Sequence, residues 1–169
     1  MSEATASGET NWERKLAKSL RVFGHRNWIV VADSAYPAQA NAGIETIVAG
    51  EDHVHVIRQV LDAIRSSIHL RANVYVDREL EVVAESDAPG IAEYKQQLDT
   101  VLYGATVSYI PHERVIHELD QSAKLFKILV IKTGMTIPYT SVFFELDCGY
   151  WNAEAEERVR QAMPGMESR

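Results

Sequence analysis

The sequence is short of cysteine and of long apolar runs, and each shortage excludes a class of protein. Cys148 is the only cysteine among 169 residues, so the chain cannot form an internal disulfide. This favours a reducing compartment and predicts a cytoplasmic protein. No window of eighteen apolar residues occurs, so we expect no membrane span. The first residues have neither a basic start nor an apolar stretch, and we expect no secretory signal there.

Basic residues are also outnumbered. The chain has 17 Lys and Arg against 24 Asp and Glu, which gives a formal net charge of −7. This balance argues against nucleic acid and anionic membranes as partners, because both are polyanions. The motifs GxSxG, Walker A and GxGxxG are absent, which removes the commonest signatures of hydrolases and nucleotide-binding proteins.

The sequence does contain an alternation of helical and strand-like segments. A capping box at Thr10–Glu13 predicts the first helix start, and short continuous apolar runs are typical of buried strands. The predicted helices cover 12–23, 54–68, 91–102, 111–124 and 152–163, and the predicted strands cover 28–32, 44–49, 74–76, 80–84, 107–110, 126–131 and 142–146. Such alternation predicts a single-domain α/β sandwich with helices on both faces of a central sheet.

Composition divides the chain into three parts. Residues 1–9 are small and polar, and we predict that they are disordered. Residues 10–151 are predicted to form the domain. Residues 152–169 are polar and helix-prone, and they are predicted to be a C-terminal helical extension.

The first predicted strand has a candidate functional residue beyond each of its ends. Ligands of open α/β sheets bind beyond the carboxyl ends of strands, where Asp33 lies. His25 precedes the same strand, eight residues away, or about 25 Å in a fully extended chain. Bringing the two together would need a curled turn or a neighbouring subunit. The alternatives are a helix-terminal histidine and a turn-capping aspartate.

Two further candidates lie on predicted loops. His112 follows Pro111 at a strand-to-helix junction, which suits a functional side chain. Its alternative is a solvated residue at a helix start. Tyr139 follows a turn with glycine and proline, where tyrosine often packs with its hydroxyl in water.

The remaining histidines predict no metal site. His53 and His55 form an HxH pair, but they precede a predicted helix and no third ligand follows at a recognised spacing. His69 and His117 are predicted to be solvated helix positions.

Two separated blocks resemble a known family. The first runs from Gly24-His25 through the apolar strand to Asp33 and Pro37. The second holds His112-Glu113, 130–134 and Pro138-Tyr139. Their order and spacing are similar to those of the D-ribose pyranase and L-fucose mutarotase family (RbsD/FucU). The resemblance covers about residues 12–150 and is close only in these blocks.

The resemblance implies a fold, an activity and an assembly. Members interconvert anomers, or pyranose and furanose rings, of free aldoses, with no metal and no organic cofactor. They form rings and decamers with active sites between adjacent subunits. By position it implies that His25 is the functional histidine, Asp33 the aspartate, His112 the pyranase-type histidine and Tyr139 the tyrosine.

The sequence departs from the family in two places. The asparagine that commonly follows two residues after the tyrosine is Ser141 here, which cannot donate and accept through a planar amide. The stretch 145–151 replaces a short family ending, and its Trp151 could stack on a sugar face or pack in an interface or core. We name Ser141, Lys132 and Trp151 as candidate substrate-binding residues.

Ring opening requires groups that give and take protons near neutrality, and histidine fits both directions. We therefore predict His25 as the principal acid/base and His112 as a second proton-transfer or hydroxyl-binding group. Asp33 is predicted to accept a hydrogen bond from a sugar hydroxyl or to orient a histidine, and Tyr139 to position the sugar through its hydroxyl. The leading hypothesis is a cofactor-independent isomerase acting on a neutral monosaccharide. The alternatives are a non-catalytic or regulatory sugar-binding protein, and another isomerase or lyase-like activity on a carbohydrate-derived substrate.

Overall fold

A computed structural model describes residues 10–165, so the predicted disorder of 1–9 lies outside the described residues. This part of the chain forms one six-stranded sheet and five α-helices, which confirms the α/β class. The strands are β1 (Trp28–Ala32), β2 (Ile44–Val48), β3 (Leu70–Asp77), β4 (Thr106–Ile110), β5 (Ile128–Lys132) and β6 (Val142–Cys148). The helices are α1 (Asn11–Val22), α2 (His53–Arg65), α3 (Ile91–Val101), α4 (His112–Ala123) and α5 (Ala153–Ala162).

The strand order is β2-β5-β1-β6-β3-β4, and β6 is the one reversed strand. β1 and β2 run parallel to β5, β3 runs parallel to β4, and β6 is antiparallel to both β1 and β3. The carboxyl ends of five strands and the start of β6 therefore share one edge of the sheet, which we name the carboxyl edge. The opposite edge, with the starts of β1 and β3 and the end of β6, is the amino edge.

Helices cover both faces of the sheet, as the sequence predicts. Ile29 and Val31 point to the face covered by α1, α2 and α3, whereas Trp28 and Val30 point to the face covered by α4. Because side chains alternate along a strand, both sets are buried only when both faces are covered. This explains why β1 appears in the sequence as a continuous apolar run.

The last helix, α5, lies outside this core. None of its residues is buried, and its N-cap Asn152 accepts a hydrogen bond from the Ala155 amide at 2.8 Å. A search of residues 10–165 found no helix with the length and apolarity needed to cross a membrane.

The predicted strand over 80–84 is wrong. The chain forms a short 3₁₀ helix at Arg78–Glu81, in which Leu80 is 2% exposed, while Val82 is 82% exposed. A strand would bury residues 80 and 82 on the same face. The chain instead turns at the carboxyl edge after β3, and it needs only Leu80 as an apolar anchor.

The prediction for His69 is also wrong. This histidine lies in the turn before β3, where Nε2 is 2.9 Å from the Leu20 carbonyl oxygen and 3.2 Å from that of Phe23. It ties this turn to the end of α1, a tertiary contact that no local pattern reveals. His117 is exposed on α4, as predicted.

Candidate functional site

A pocket of about 340 Å³ opens at the carboxyl edge. Its polar lining includes Asp33, Asp77, His112, Glu113, Tyr139 and Ser141. Four of the predicted site residues therefore meet here, although they come from distant parts of the chain. The volume is at the lower end of the range of about 300–1,000 Å³ for small-molecule sites.

Asp33 and Ser141 are joined by two hydrogen bonds. The Asp33 amide donates to Ser141 Oγ at 3.1 Å, and Ser141 Oγ donates to Asp33 Oδ1 at 3.2 Å. The sheet causes this contact, because Val31 of β1 pairs with Val142 of β6 and the next residues meet beyond the paired ends. Ser141 is buried, so it fixes one oxygen of the carboxylate.

His112 is held by a buried carboxyl group. Its Nδ1 is 2.9 Å from Asp77 Oδ2, and the Asp77 side chain is 1% exposed. The hydrogen bond that His112 Nδ1–H donates to Asp77 raises the pKa of His112, although partial desolvation opposes it. Burial raises the pKa of Asp77 as well. The pair is therefore able to hold a proton close to neutral pH.

The second oxygen of this carboxyl group is unusual. Asp77 Oδ1 is buried and accepts no hydrogen bond from residues 10–165. The backbone around it is fixed, because both Glu79 carboxylate oxygens accept from the His112 amide at 3.0 and 3.1 Å. A buried acceptor without a donor costs free energy, which is typical of a site that binds a ligand.

Tyr139 contacts this pair from the loop before β6. Its ring meets the His112 ring edge-on, with 5.9 Å between centroids, and the residue is 39% exposed. Its φ of 60° lies in the left-handed region, which a bulky residue rarely adopts. Such strain persists only where surrounding contacts hold it, and it is common at binding sites.

His25 lies away from this pocket, in a polar cluster at the amino edge. Its Nδ1 is 2.8 Å from Asp147 Oδ1, and Asp147 Oδ2 accepts from Arg71 at 2.8 Å. Arg26 Nε donates to His25 Nε2 at 3.2 Å, so the neutral ring carries its proton on Nδ1. Partial burial raises the pKa of Asp147, but the hydrogen bonds from Arg71, the Cys148 amide and His25 together outweigh it, and the net shift is downward.

Lys132 and Trp151 are not part of the pocket lining. Lys132 is the last residue of β5 and is half-buried. Trp151 is exposed beyond the end of β6, and its indole N–H donates to Glu156 Oε2 at 2.8 Å. Their predicted contacts with substrate remain predictions.

The two residues of the HxH pair diverge at the start of α2. His53 is buried, whereas His55 is exposed with Nε2 3.3 Å from Glu51 Oε2. Glu13, Glu51 and His55 offer ligand-type atoms within 4.8 Å of one another. Glu13 also closes the capping box of α1 with Thr10. This group does not line the pocket.

The sequence argument missed Asp77 and Tyr36. Asp77 ends an apolar strand, as Asp33 follows one, so the rule that selected Asp33 also applies to Asp77. Tyr36 lines the pocket and is 5% exposed, and no hydrogen-bond partner for its hydroxyl occurs in the described part of the chain. Burial raises its pKa. No local pattern distinguishes it from a packing tyrosine.

Comparisons with known proteins cover nearly the whole domain. A sequence model of the RbsD / FucU transport protein family matches residues 10–149. A comparison with curated proteins finds no match.

Three solved structures are similar to this chain. RbsD of Bacillus subtilis complexed with D-ribose is 20% identical, with a TM-score of 0.55, and the match covers 85% of this chain and 98% of that one. The fucose mutarotase of Streptococcus pneumoniae in complex with L-fucose is 25% identical, with a TM-score of 0.50 and coverage of 79% and 91%. FucU of Bifidobacterium longum is 15% identical, with a TM-score of 0.54 and coverage of 79% and 92%.

Proposed function

Because the chain belongs to the RbsD / FucU transport protein family, we propose that it interconverts anomers, or pyranose and furanose rings, of a free neutral monosaccharide. The observation that carries this proposal is the meeting of Asp33, His112 and Tyr139 in one pocket, with Asp77 behind the histidine. The relatives crystallised with D-ribose and L-fucose support a monosaccharide as the ligand.

Ring opening and closure need two proton transfers and no covalent intermediate. A base removes the proton from the anomeric hydroxyl while an acid protonates the ring oxygen. The bond between the anomeric carbon and the ring oxygen breaks, and an open-chain carbonyl forms. Rotation and attack by the same or another hydroxyl closes the ring as the protons return.

His112 suits the acid step. Its Nδ1 is held by Asp77, so Nε2 is the nitrogen left for the sugar. The raised pKa of His112 keeps more of the imidazolium form near neutrality than a free histidine would have. Asp33 would accept a hydrogen bond from a sugar hydroxyl, and the Tyr139 hydroxyl would orient the ring.

We further propose that His25 acts in the pocket of a neighbouring copy. The five residues of β1 separate it from Asp33 by about 16 Å, so His25 does not reach the pocket of its own chain. Charge supports a head-to-tail contact: the pocket lining has three carboxylates and no Lys or Arg, while Arg26 and Arg71 accompany His25. Such a heterologous contact closes into a ring when the rotation between neighbouring copies divides a full turn.

Two-dimensional exchange NMR between anomer signals tests the activity directly. D-ribose, L-fucose and a panel of other aldoses and ketoses should exchange faster with the protein than in buffer. The acceleration should be lost in His112→Ala and in His25→Ala. His117→Ala, an exposed histidine on α4, should keep it and serves as the matched control.

Other outcomes would identify the alternative functions. Calorimetric binding of a sugar without accelerated exchange would indicate a non-catalytic sugar-binding protein. A product of new constitution in the same spectra would indicate another isomerase or a lyase. If the protein neither binds any sugar of the panel nor accelerates its exchange, the proposal is contradicted.

A further inference from the structure

One buried histidine links both ends of the loop that carries Tyr139. His53 is 3% exposed, with Nδ1 2.7 Å from Thr133 Oγ1 and Nε2 2.7 Å from the Thr140 carbonyl oxygen. Thr133 follows β5, and Thr140 lies between Tyr139 and Ser141. A single side chain of α2 therefore contacts both ends of the segment 133–141.

The partners determine which nitrogen of His53 carries the proton. The Thr140 carbonyl only accepts, so Nε2–H donates to it. Neutral Nδ1 then accepts from the Thr133 hydroxyl at 2.7 Å, a shorter contact than the 3.3 Å from this hydroxyl to its other acceptor, the Ala32 carbonyl oxygen. Burial lowers the pKa of His53, although the Thr140 hydrogen bond and the charges of Asp33 and Asp52 oppose this shift. The neutral form with the proton on Nε2 is therefore the one that fits.

A second donor reaches the same carbonyl from another helix. The Tyr94 hydroxyl, on α3, donates to the Thr140 carbonyl oxygen at 2.6 Å, and its ring lies 5.8 Å from the His53 ring. The Thr140 hydroxyl itself donates to the Ile137 carbonyl at 2.8 Å. The peptide group between Thr140 and Ser141, one residue beyond Tyr139, is thus fixed by two short hydrogen bonds in a buried environment.

We infer that His53 is a positioning residue: by holding Thr133 and Thr140 it keeps Tyr139 in its left-handed backbone conformation. The same contact keeps Ser141 against Asp33, because Ser141 is the next residue along the chain. A strained residue relaxes unless its neighbours are anchored, and here the anchor is a side chain that does not line the pocket. The sugar-affinity and turnover readouts of this inference rest on the proposed function, whereas the NMR readouts do not.

Two substitutions of His53 separate its hydrogen bonds from its bulk. In His53→Gln, the amide N–H can donate to the Thr140 carbonyl and the amide oxygen can accept from Thr133. His53→Leu removes both hydrogen bonds. His55→Leu is the matched control, because it changes an exposed residue on the same turn of α2.

We expect the Leu variant to bind and turn over sugar less well. Its affinity for L-fucose and D-ribose, measured by calorimetry, should fall at least about tenfold, the effect of roughly one charge-neutral hydrogen bond lost. The Gln variant should stay within about threefold of the unmodified protein. In ¹H–¹⁵N spectra, the amide signals of Asp33, Tyr139 and Ser141 should move in the Leu variant and remain near their positions in the Gln variant.

A merely structural role would lower the stability of both variants to a similar degree and leave these signals and affinities unchanged in the folded protein. That result would overturn the inference.

The tautomer of His53 provides a test that needs no substitution: long-range ¹H–¹⁵N correlations at pH 7 should show neutral His53 protonated on Nε2. Protonation on Nδ1, or an imidazolium, would also overturn it. If the unmodified protein accelerates no exchange, the proposed function fails, while the NMR tests of His53 still stand.

Discussion

At the scale of single residues, the hydrogen bond between Asp77 and His112 governs the protonation of the histidine, on which the proposed ring opening would depend. Its donor and acceptor are 2.9 Å apart, and the carboxyl side is almost completely buried. The raised pKa of His112 means that its proton is lost at a higher pH than the ordinary histidine value of about 6.5. Activity that depends on this proton should therefore extend to higher pH than a free imidazole would allow.

Asp77→Asn should shift this dependence. Without the carboxylate, the pKa of His112 falls, so the alkaline limb of kcat/KM should move to lower pH. At pH 7, kcat/KM should fall about ten- to a hundredfold, because a hydrogen bond to a charged group contributes about 1.5–3 kcal/mol. Exchange rates measured from pH 5 to 9 provide the profile. Asp62→Asn, at an exposed position of α2, is the control, and an unmoved alkaline limb in Asp77→Asn would refute the assignment.

The charge of the pocket determines which sugars can enter it. Its lining includes Asp33, Asp77 and Glu113 and has no Lys or Arg. We expect a phosphorylated aldose to bind at least about fivefold more weakly than its neutral parent, since like charges a few ångströms apart repel by about 1 kcal/mol or more. Calorimetry at low and high salt measures this, and the difference should shrink as salt screens the charges. Equal or tighter binding of the phosphate would contradict the expectation and would indicate basic groups from a neighbouring copy inside the pocket.

The sequence predicted much of the pocket because its residues lie at the ends of apolar strands. Asp33, His112 and Tyr139 each lie at a junction between a strand and a loop, and the parallel sheet brings such junctions to one edge. Ser141 was named for its place in a family pattern. The hydrogen bonds of His53 and Asp77 could not be predicted, because their partners are between 35 and 87 residues away along the chain.

At the scale of elements, periodicity predicted all five helices and six of the seven proposed strands. It failed for 80–84, where a run of Leu, Glu, Val and Val fits a strand as well as a turn with one buried anchor. Local sequence does not distinguish the strand from the turn, because the outcome depends on where β3 ends and on the path that the chain takes from there to α3. The antiparallel direction of β6 could likewise not be predicted from local sequence, since it depends on pairing with β1 and β3.

The turn after β6 leaves no space for a side chain at Gly149. A Cβ at Gly149 would lie 2.6 Å from the Ile68 carbonyl oxygen and 2.7 Å from that of Leu70, and both are backbone atoms. Gly149→Ala should therefore lower the free energy of unfolding by about 1–3 kcal/mol, as overpacking does. Urea denaturation measures the change. Gly24→Ala is the matched control, because no atom lies within 4 Å of its Cβ, and equal stability of the two variants would contradict the argument.

At the scale of the whole molecule, the distance between the two edges of the sheet predicts how copies complement each other. His25→Ala keeps the pocket intact, and His112→Ala keeps the amino edge intact. When the two inactive proteins are mixed under exchange of subunits, about a quarter of the sites should combine one intact pocket with one intact His25 in a head-to-tail ring. Exchange NMR on the mixture should recover about that share of activity.

If each chain carries a complete site of its own, mixing His25→Ala with His112→Ala should recover no exchange activity. A mixture that stays inactive while mass spectrometry shows mixed oligomers would therefore contradict a shared site. His117→Ala mixed with His112→Ala provides the reference, since only the intact pockets of the first protein limit its activity.

The place of β6 also has a consequence for how the chain is made. Within residues 10–165 it is the last strand in chain order, yet it lies in the middle of the sheet and is the only strand that joins β1 to β3. A nascent chain that has not yet reached Val142 can form a β2-β5-β1 fragment and a β3-β4 fragment. In each fragment, one strand (β1 or β3) lacks a hydrogen-bonding partner on the side that β6 later occupies. Cooperative folding must therefore wait for the end of the sheet to leave the ribosome, and until then β1 and β3 offer unpaired backbone groups to other chains.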